Sequence, residues 1–475
     1  MDNIYNMIAF DCGNSTIRTI LCRYDGEKLT NEIIKSDPNE MVKIGEYYYW
    51  DLLRIFTNLK KGLELAAKSV DHIHSAGICT WGIDMMFLDE RDTMLGNVLS
   101  YRNKMGAEEM ESFPKEELDR MFYRTGILSN KINTVFMLRG MQKKMPAITE
   151  SGRKLLMVPD VLSWFLTGVK INEPSELSTT QMMDVRTKAV SAGQCEAMGI
   201  NQNWFCKVGT HGKAIGNIRK NILDELMIDY DIPMVCVPSH DTASAVLGIP
   251  CADDEYLFVS SGTWALIGAQ CRKSIINERA LKCQLTNELG AFGYITLLKN
   301  SNGMFLTQCL KREYEKQYGK ISWDDFFAIG RAYHGVVSVF DVNDGTFFNP
   351  PHMAPAIWNC IHPEGGNVQI NWAEILASTE ESLAESYTEG LKAVTQCTGK
   401  QYPAVYVVGG GAKNDAINQK CADKMRLPVV ACSQECSSIG NAATQLAYLK
   451  PGMDYAELRK IITGSLLTKT YFPAK

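Results

Sequence analysis

A short apolar run that breaks on a polar, glycine-bearing turn and then resumes occurs twice in this chain, and the two copies open its two halves. In the first copy, Met7 to Phe10 leads into Asp11-Cys12-Gly13-Asn14-Ser15-Thr16, and Ile17 to Tyr24 leads out before Asp25-Gly26. In the second, Tyr256 to Val259 leads into Ser260-Ser261-Gly262-Thr263-Trp264, and Ala265 to Cys271 leads out. Each reads as a hairpin, because β-type runs flank a tight turn rich in Gly, Asn and Ser. Recurrence half a chain apart predicts two related domains, and 475 residues are ample for two cores. Ser75 to Cys79 and Met85 to Leu88 read as strands, Leu52 to Val70 as an amphipathic helix, and Ala404 to Val408 as a buried strand ending on Gly409-Gly410-Gly411. The class is therefore α/β. A strand-like Met234 to Val237 runs into Pro238-Ser239-His240-Asp241-Thr242 and then small helix formers, which places the domain boundary near Ala243 to Gly248.

Charge narrows the partners. With 49 basic against 54 acidic residues, a formal net charge of −5, the chain has no footprint for gripping a nucleic-acid backbone. No stretch approaches the roughly 18 consecutive apolar residues of a spanning helix, so a membrane is not an expected partner. The opening residues, with Asp2 and a polar run after a brief apolar stretch, do not read as a signal peptide. Fifteen cysteines, an odd number scattered from Cys12 to Cys436, fit reduced thiols in a cytoplasmic protein better than a disulfide framework. The one close pair, Cys432 and Cys436, gives little support to a zinc site.

Standard nucleotide signatures are absent: there is no G-x-x-x-x-G-K-[ST], and Gly409 to Asn414 fails G-x-G-x-x-G at its last position. What remains are three glycine-bearing turns at strand ends, at Gly13, Gly262 and Gly409 to Gly411. Their amides and hydroxyls can hold phosphate oxygens, or simply make tight turns. Asp11, at the end of the first strand, can hold magnesium or cap its turn. Asp241, at the start of a helix, can take a proton from a hydroxyl or cap that helix. His240 can orient a sugar hydroxyl or serve packing. Trp81, Gly82 and Asp84 supply an aromatic face, bare backbone and an acid, the ingredients of a carbohydrate pocket, although Trp81 can equally fill the core.

In order along the chain stand FDCGNSTIR at Phe10 to Arg18, TWGID at Thr80 to Asp84, YRN at Tyr101 to Asn103, INTVFML at Ile132 to Leu138 and PDVLSWFLTG at Pro159 to Gly168. They are followed by STTQMMD at Ser178 to Asp184, SHDTASAV at Ser239 to Val246, SSGTW at Ser260 to Trp264, TNE at Thr286 to Glu288, LKN at Leu298 to Asn300 and GGGAKND at Gly409 to Asp415. By this ordered set, almost from end to end, the chain resembles the FGGY carbohydrate kinases, with the rhamnulokinase branch nearest and L-fuculose kinases next.

The resemblance implies two actin-like, ribonuclease-H-like domains facing across a cleft, residues 1–244 on the sugar side and 245–475 on the ATP side. It implies Asp241 as catalytic base, with Gly82, His240 and Thr242 on the sugar beside Trp81 and Asp84. Asn14, Ser15, Thr16 and Arg18 match one phosphate turn and Thr263 the other, while Asn300, Gln308, Gly410 and Gly411 match nucleotide contacts. Asp11 and Asp241 would flank Mg2+. The activity implied is transfer of the γ-phosphoryl group of ATP to the primary hydroxyl of a 6-deoxy ketohexose, L-rhamnulose giving L-rhamnulose 1-phosphate, with L-fuculose as the alternative. A non-catalytic nucleotide-binding protein on the same scaffold is the reading from another class. Two departures bear on the sugar: Cys79 and Asn103 stand where rhamnulokinases carry aspartate, which predicts two fewer carboxylates on the sugar side.

Overall fold

The computed structural model describes residues 4–348, 350–364, 369–432 and 436–474. The chain forms two compact units. The first comprises Met1–Asp254, Gln270–Leu297 and Glu435–Ser465, and the second Glu255–Ala269, Leu298–Gln434 and Leu466–Lys475. Packing thus apportions the chain differently from two continuous halves, since Cys436–Leu449 returns to the first unit.

The first unit is built on strands β1 (Tyr5–Cys12), β2 (Thr16–Tyr24), β3 (Leu29–Pro38), β4 (Ser75–Thr80), β5 (Ala214–Asn217) and β6 (Pro233–Val235), in the order β5-β6-β4-β1-β2-β3. β1, β2 and β3 form an antiparallel meander, β4 runs parallel to β1, and β6 runs parallel to β4. β1 is central and buried from Met7 to Cys12, which is why its apolar residues run consecutively instead of alternating. The second sheet is built on strands β7 (Leu257–Ser261), β8 (Trp264–Cys271), β9 (Ile295–Asn302), β10 (Val405–Val408), β11 (Val429–Cys432) and β12 (Lys469–Tyr471), ordered β9-β8-β7-β10-β11-β12, with a seventh strand, Thr286–Leu289, at the edge beyond β9. Read outward from the hairpin, the two sheets share a core order: the hairpin with a third strand beside it on one side, and two parallel strands followed by an antiparallel edge strand on the other; the second sheet adds Thr286–Leu289 beyond β9. The repeated hairpin of the sequence is β1–β2 in one unit and β7–β8 in the other.

Five helices position the candidate residues. Helix α1 (Leu52–Ala67) starts at Asp51, whose side chain accepts the Arg54 N–H, and ends three residues short of the Val70 expected from its pattern. Its apolar stripe, Leu52, Ile55, Leu59 and Leu63, is fully buried, each side chain worth about 1.5–3 kcal/mol. Helices α2 (Pro174–Thr179), α3 (Asp241–Leu247) and α5 (Cys436–Leu449) also belong to the first unit, and α4 (Asp415–Met425) to the second. α5 is buried over most of its length because its residues are small. A Cβ on Gly440 would lie 1.9 Å from the Ser244 carbonyl oxygen, and one on Gly248 2.0 Å from that of Cys436, so α3 and α5 cross backbone to backbone. Among the described residues, no helix is long and apolar enough to cross a membrane.

Candidate active site

Two loops of the first unit are stitched together at the end of β4. The Thr80 N–H donates to the Ser239 carbonyl at 2.7 Å, and Thr80 pairs with His240 as a parallel bridge. This joins the Trp81-Gly82-Ile83-Asp84 loop to the start of α3. His240 occupies the N-cap position of α3 without a side-chain capping bond, and Asp241 is the first helical residue, so the helix does not use the Asp241 carboxylate as its cap. That side chain is 38% exposed and accepts the Thr242 hydroxyl at 3.2 Å. Loss of hydration raises its proton affinity; nearby His240 opposes this and the Asp11 charge adds to it. The His240 ring lies with Nδ1 3.3 Å from Glu288 Oε2 and Nε2 3.7 Å from Asp241 Oδ1. Burial disfavours its protonation, but Glu288, then Asp241 and Glu173, outweigh this and move its pKa upward.

Gly82 presents bare backbone to that imidazole: a Cβ there would sit 3.3 Å from His240 Nε2 and 3.2 Å from Thr179 Cγ2. The next residue, Ile83, has φ of 75°, a strained conformation for a β-branched side chain. It is held on both sides, its N–H donating to Thr179 Oγ1 at 3.1 Å and its carbonyl accepting the Thr134 hydroxyl at 2.6 Å. Trp81 is 3% exposed and lies 4.3 Å, ring to ring, from Trp50. Both indole N–H groups donate to Asp84 Oδ2, at 2.9 Å from Trp81 and 2.6 Å from Trp50, and burial pushes the Asp84 pKa up to about 7. Trp81 and Asp84 thus form a packed, hydrogen-bonded base beneath the Gly82 backbone.

The two departures from the resemblance, Asn103 and Cys79, are both buried against backbone. Asn103 is 5% exposed; its amide donates to the carbonyls of Tyr48 and Ser100 at 2.8 and 2.7 Å, and its Oδ1 accepts the Tyr48 N–H at 2.9 Å. It clamps backbone, which requires a donor that aspartate lacks. Cys79 is fully buried, its thiol 3.6 Å from the Phe10 carbonyl, and burial beside Asp11 and Asp241 holds it protonated.

Asp11 is 3% exposed at the end of β1, in register with Arg18 on β2. The guanidinium donates to Asp11 Oδ2 at 2.7 Å and the Ser437 hydroxyl donates to the same oxygen at 2.9 Å, so Asp11 is paired across strands and is not a turn cap. The turn itself closes by a Gly13 N–H to Thr16 carbonyl bond of 2.8 Å and is braced by Asn39, which bonds the carbonyls of Ser15 and Gly13 at 2.9 Å each. Ser15 and Thr16 are exposed at its tip, and the Asn14 Oδ1 is buried with no partner among the described residues.

In the second unit, the β7–β8 turn closes by a Gly262 N–H to Trp264 carbonyl bond of 2.9 Å. The Gly303 and Phe305 N–H groups bond the Thr263 carbonyl from behind at 3.2 Å, leaving Thr263 exposed. Asn300 is exposed on β9 and Gln308 half-buried in the helix Phe305–Tyr318. After β10, Gly409 takes φ of +81° and opens a 3₁₀ turn, Gly410–Lys413, ahead of α4. The glycines differ: a Cβ on Gly411 would lie 1.9 Å from Ser261 Oγ, whereas Gly410 is exposed with open space around it.

A magnesium ion fits this donor set only in company with phosphate. Among the described residues no cluster of three or more His, Cys, Asp or Glu is placed to cage a metal. Asp11 and Asp241, however, are close enough for the charge of one to raise the proton affinity of the other, a repulsion that a cation would relieve. The sequence singled out no role for Glu288, Thr179, Ser437 or Trp50, because each acquires its partner from a distant stretch of chain; Glu288 and Thr179 lay in recognised motifs, Ser437 and Trp50 in none.

The profile of the FGGY family of carbohydrate kinases matches in both parts, its N-terminal domain over residues 6–248 and its C-terminal domain over 257–448. Rhamnulokinase from Oceanobacillus iheyensis is 31% identical over 465 residues, 98% of this chain and 97% of that one. Rhamnulokinase from Bacteroides thetaiotaomicron is 30% identical over 470 residues, 98% of this chain and 96% of its own. Among solved structures, gluconate kinase from Lactobacillus acidophilus superposes with a TM-score of 0.81 at 15% identity, covering 99% of this chain and 94% of that one. Ligand-bound xylulose kinase from the same organism gives 0.80 at 15%, with the same coverage. A repeated hairpin domain and a family profile that accounts for both halves lead to one conclusion: the chain belongs to the FGGY family of carbohydrate kinases and is an ATP- and magnesium-dependent sugar kinase.

Proposed function

We propose that this kinase phosphorylates the primary hydroxyl of a 6-deoxy ketohexose, L-rhamnulose, to give L-rhamnulose 1-phosphate. The observation that carries the chemistry is Asp241, a part-exposed carboxylate of raised proton affinity at the start of α3, with His240, Thr242 and the bare Gly82 backbone beside it. The name of the relatives from Oceanobacillus and Bacteroides supports the choice of sugar.

In this reading the sugar lies on Gly82, His240 and Thr242 in the first unit, with Trp81 and Asp84 fixing that backbone from below. Asp241 accepts the hydroxyl proton as the hydroxyl oxygen bonds to the γ-phosphorus of ATP and the bond to the ADP oxygen breaks. Asn14, Ser15, Thr16 and Arg18 hold phosphate oxygens on one turn and Thr263 on the other. Asn300, Gln308 and the Gly410-Gly411 turn take the nucleotide, with Gly410 the glycine that has room for it. Asp11 and Asp241 would hold the magnesium ion, which when bound neutralises phosphate charge. Buried thiols at Cys12, Cys22 and Cys79 support a reducing, cytoplasmic setting.

The test is ADP release with ATP and magnesium across L-rhamnulose, L-fuculose, L-ribulose, D-xylulose and glycerol, with Asp241→Asn in parallel. The expected result is a strong preference for L-rhamnulose that Asp241→Asn reduces at least about a thousandfold while leaving the thermal unfolding midpoint in place. Preference for L-fuculose would replace the sugar and keep the mechanism. Near-normal turnover by Asp241→Asn would remove the base. ATP binding without sugar-stimulated release would favour a non-catalytic role.

A further inference from the structure

Glu173, Ser175 and His211 lie in none of the recognised motifs, yet they form a buried chain of hydrogen bonds that ends on the backbone of His240. Glu173 is 2% exposed at the N-cap of α2. Its Oε1 accepts the Ser175 N–H at 3.0 Å and faces His211 Nε2 at 2.5 Å; its Oε2 accepts the Ser175 hydroxyl at 2.6 Å and the Glu176 N–H at 2.8 Å. The Phe292 N–H donates to His211 Nδ1 at 2.9 Å, which leaves Nε2 as the nitrogen carrying the proton and donating to Glu173. With its own proton committed to Glu173, the fully buried Ser175 hydroxyl has a lone pair left, and that lone pair accepts the His240 N–H at 3.0 Å.

His240 is the residue whose backbone sets the direction of Asp241, and α3 offers it no side-chain cap. On its ring side it faces the carboxylates of Glu288 and Asp241 and the Gly82 backbone. The geometry points to Ser175, locked by Glu173 and His211, as a positioning residue that fixes the His240–Asp241 turn for proton transfer. This inference rests on the reading of Asp241 as the base. Both hydrogen bonds of the Ser175 hydroxyl are directional, and the hydroxyl itself is fully buried, so loss of either lets the turn move, and displacements near 1 Å cost reaction rate steeply. From the cap position Glu173 reaches both Ser175 and His211.

Ser175→Ala, Ser175→Cys and His211→Gln are compared with wild type and Asp241→Asn in the full chain. The readouts are kcat, KM for ATP and for the best ketose, thermal unfolding, and amide hydrogen exchange over residues 239–242. Cysteine fills the space of serine but bonds weakly, so it separates hydrogen bonding from packing. The expected result is a kcat at least about tenfold lower in both Ser175 variants, with KM for ATP within about twofold and faster exchange at 239–242. The Ser175→Ala, His211→Gln double variant is expected to lose little more than Ser175→Ala alone, since both act through one chain. Wild-type kcat in Ser175→Cys overturns the proposal, whether or not exchange changes. If Ser175→Ala does not fold, Ser175→Cys decides. If Asp241→Asn keeps its activity, the base assignment fails by itself, and exchange at 239–242 still judges whether Ser175 holds the turn.

Discussion

Asn103 shows how much of a side chain's role depends on partners distant in sequence. As a sequence position it looks like a sugar-side acid exchanged for an amide; in the fold its amide satisfies three backbone groups at Tyr48 and Ser100. Restoring the acid by Asn103→Asp is therefore expected to destabilise the protein by about 2–3 kcal/mol, because a buried carboxylate would face two carbonyls without a proton to give. Chemical denaturation measures this, and the ranking of sugars is expected to stay the same. Asp241 was legible from its place after a strand and before small helix formers, but not its freedom from capping, which follows from His240 taking the N-cap position. Trp81 and Asp84 were legible as a pair of interest, and they bond one another; the second indole on Asp84, that of Trp50, comes from another segment and was not legible.

At the scale of elements, close crossing matters more than propensity. α3 carries Asp241 at one end and meets α5 through Gly248 and Gly440, where added Cβ atoms would collide with carbonyl oxygens at 2.0 and 1.9 Å. Gly440→Ala is expected to push α3 off α5 and lower kcat more than tenfold, with a stability loss of about 1–3 kcal/mol, read by steady-state kinetics and thermal unfolding. The turn after β10 gives a paired test. Gly411→Ala meets Ser261 at 1.9 Å and is expected to cost about 2 kcal/mol or more, whereas Gly410→Ala enters open space and is expected to leave stability within about 0.5 kcal/mol. If the turn holds nucleotide, Gly410→Ala raises KM for ATP without moving KM for the sugar.

For the whole molecule, three buried acids of raised pKa contribute to the pH response above pH 5. Burial pushes Asp84 up to about 7 and Asp160 up to about 8, and it raises Glu176 as well. An unfolded chain releases these protons near pH 4, so between about pH 4 and 8 the folded state binds more protons than the unfolded state. The stability these three groups contribute is fullest below that window and falls as pH rises through it, while carboxylates held low, Glu173 among them, contribute in the opposite direction at lower pH. The denaturant midpoint is expected to be higher at pH 5 than at pH 8, by on the order of 2 kcal/mol; a midpoint that rises with pH contradicts the assignment. The α/β class and the doubling of the domain were written in local chemistry: glycine and polar residues at turns, apolar runs in strands, one hairpin repeated. The ordered motifs likewise marked Asp241 as the candidate base, because a strand end or helix start is fixed by its immediate neighbours. Contacts between distant segments were not written there. The return of Cys436–Leu449 to the first unit, Gln445 bonding the Ile8 carbonyl at 2.9 Å, and Ser175 bonding His240 arise from packing among buried polar groups. Each such group must find a partner wherever the fold places it, and that choice is made only once the sheets and helices have closed around it.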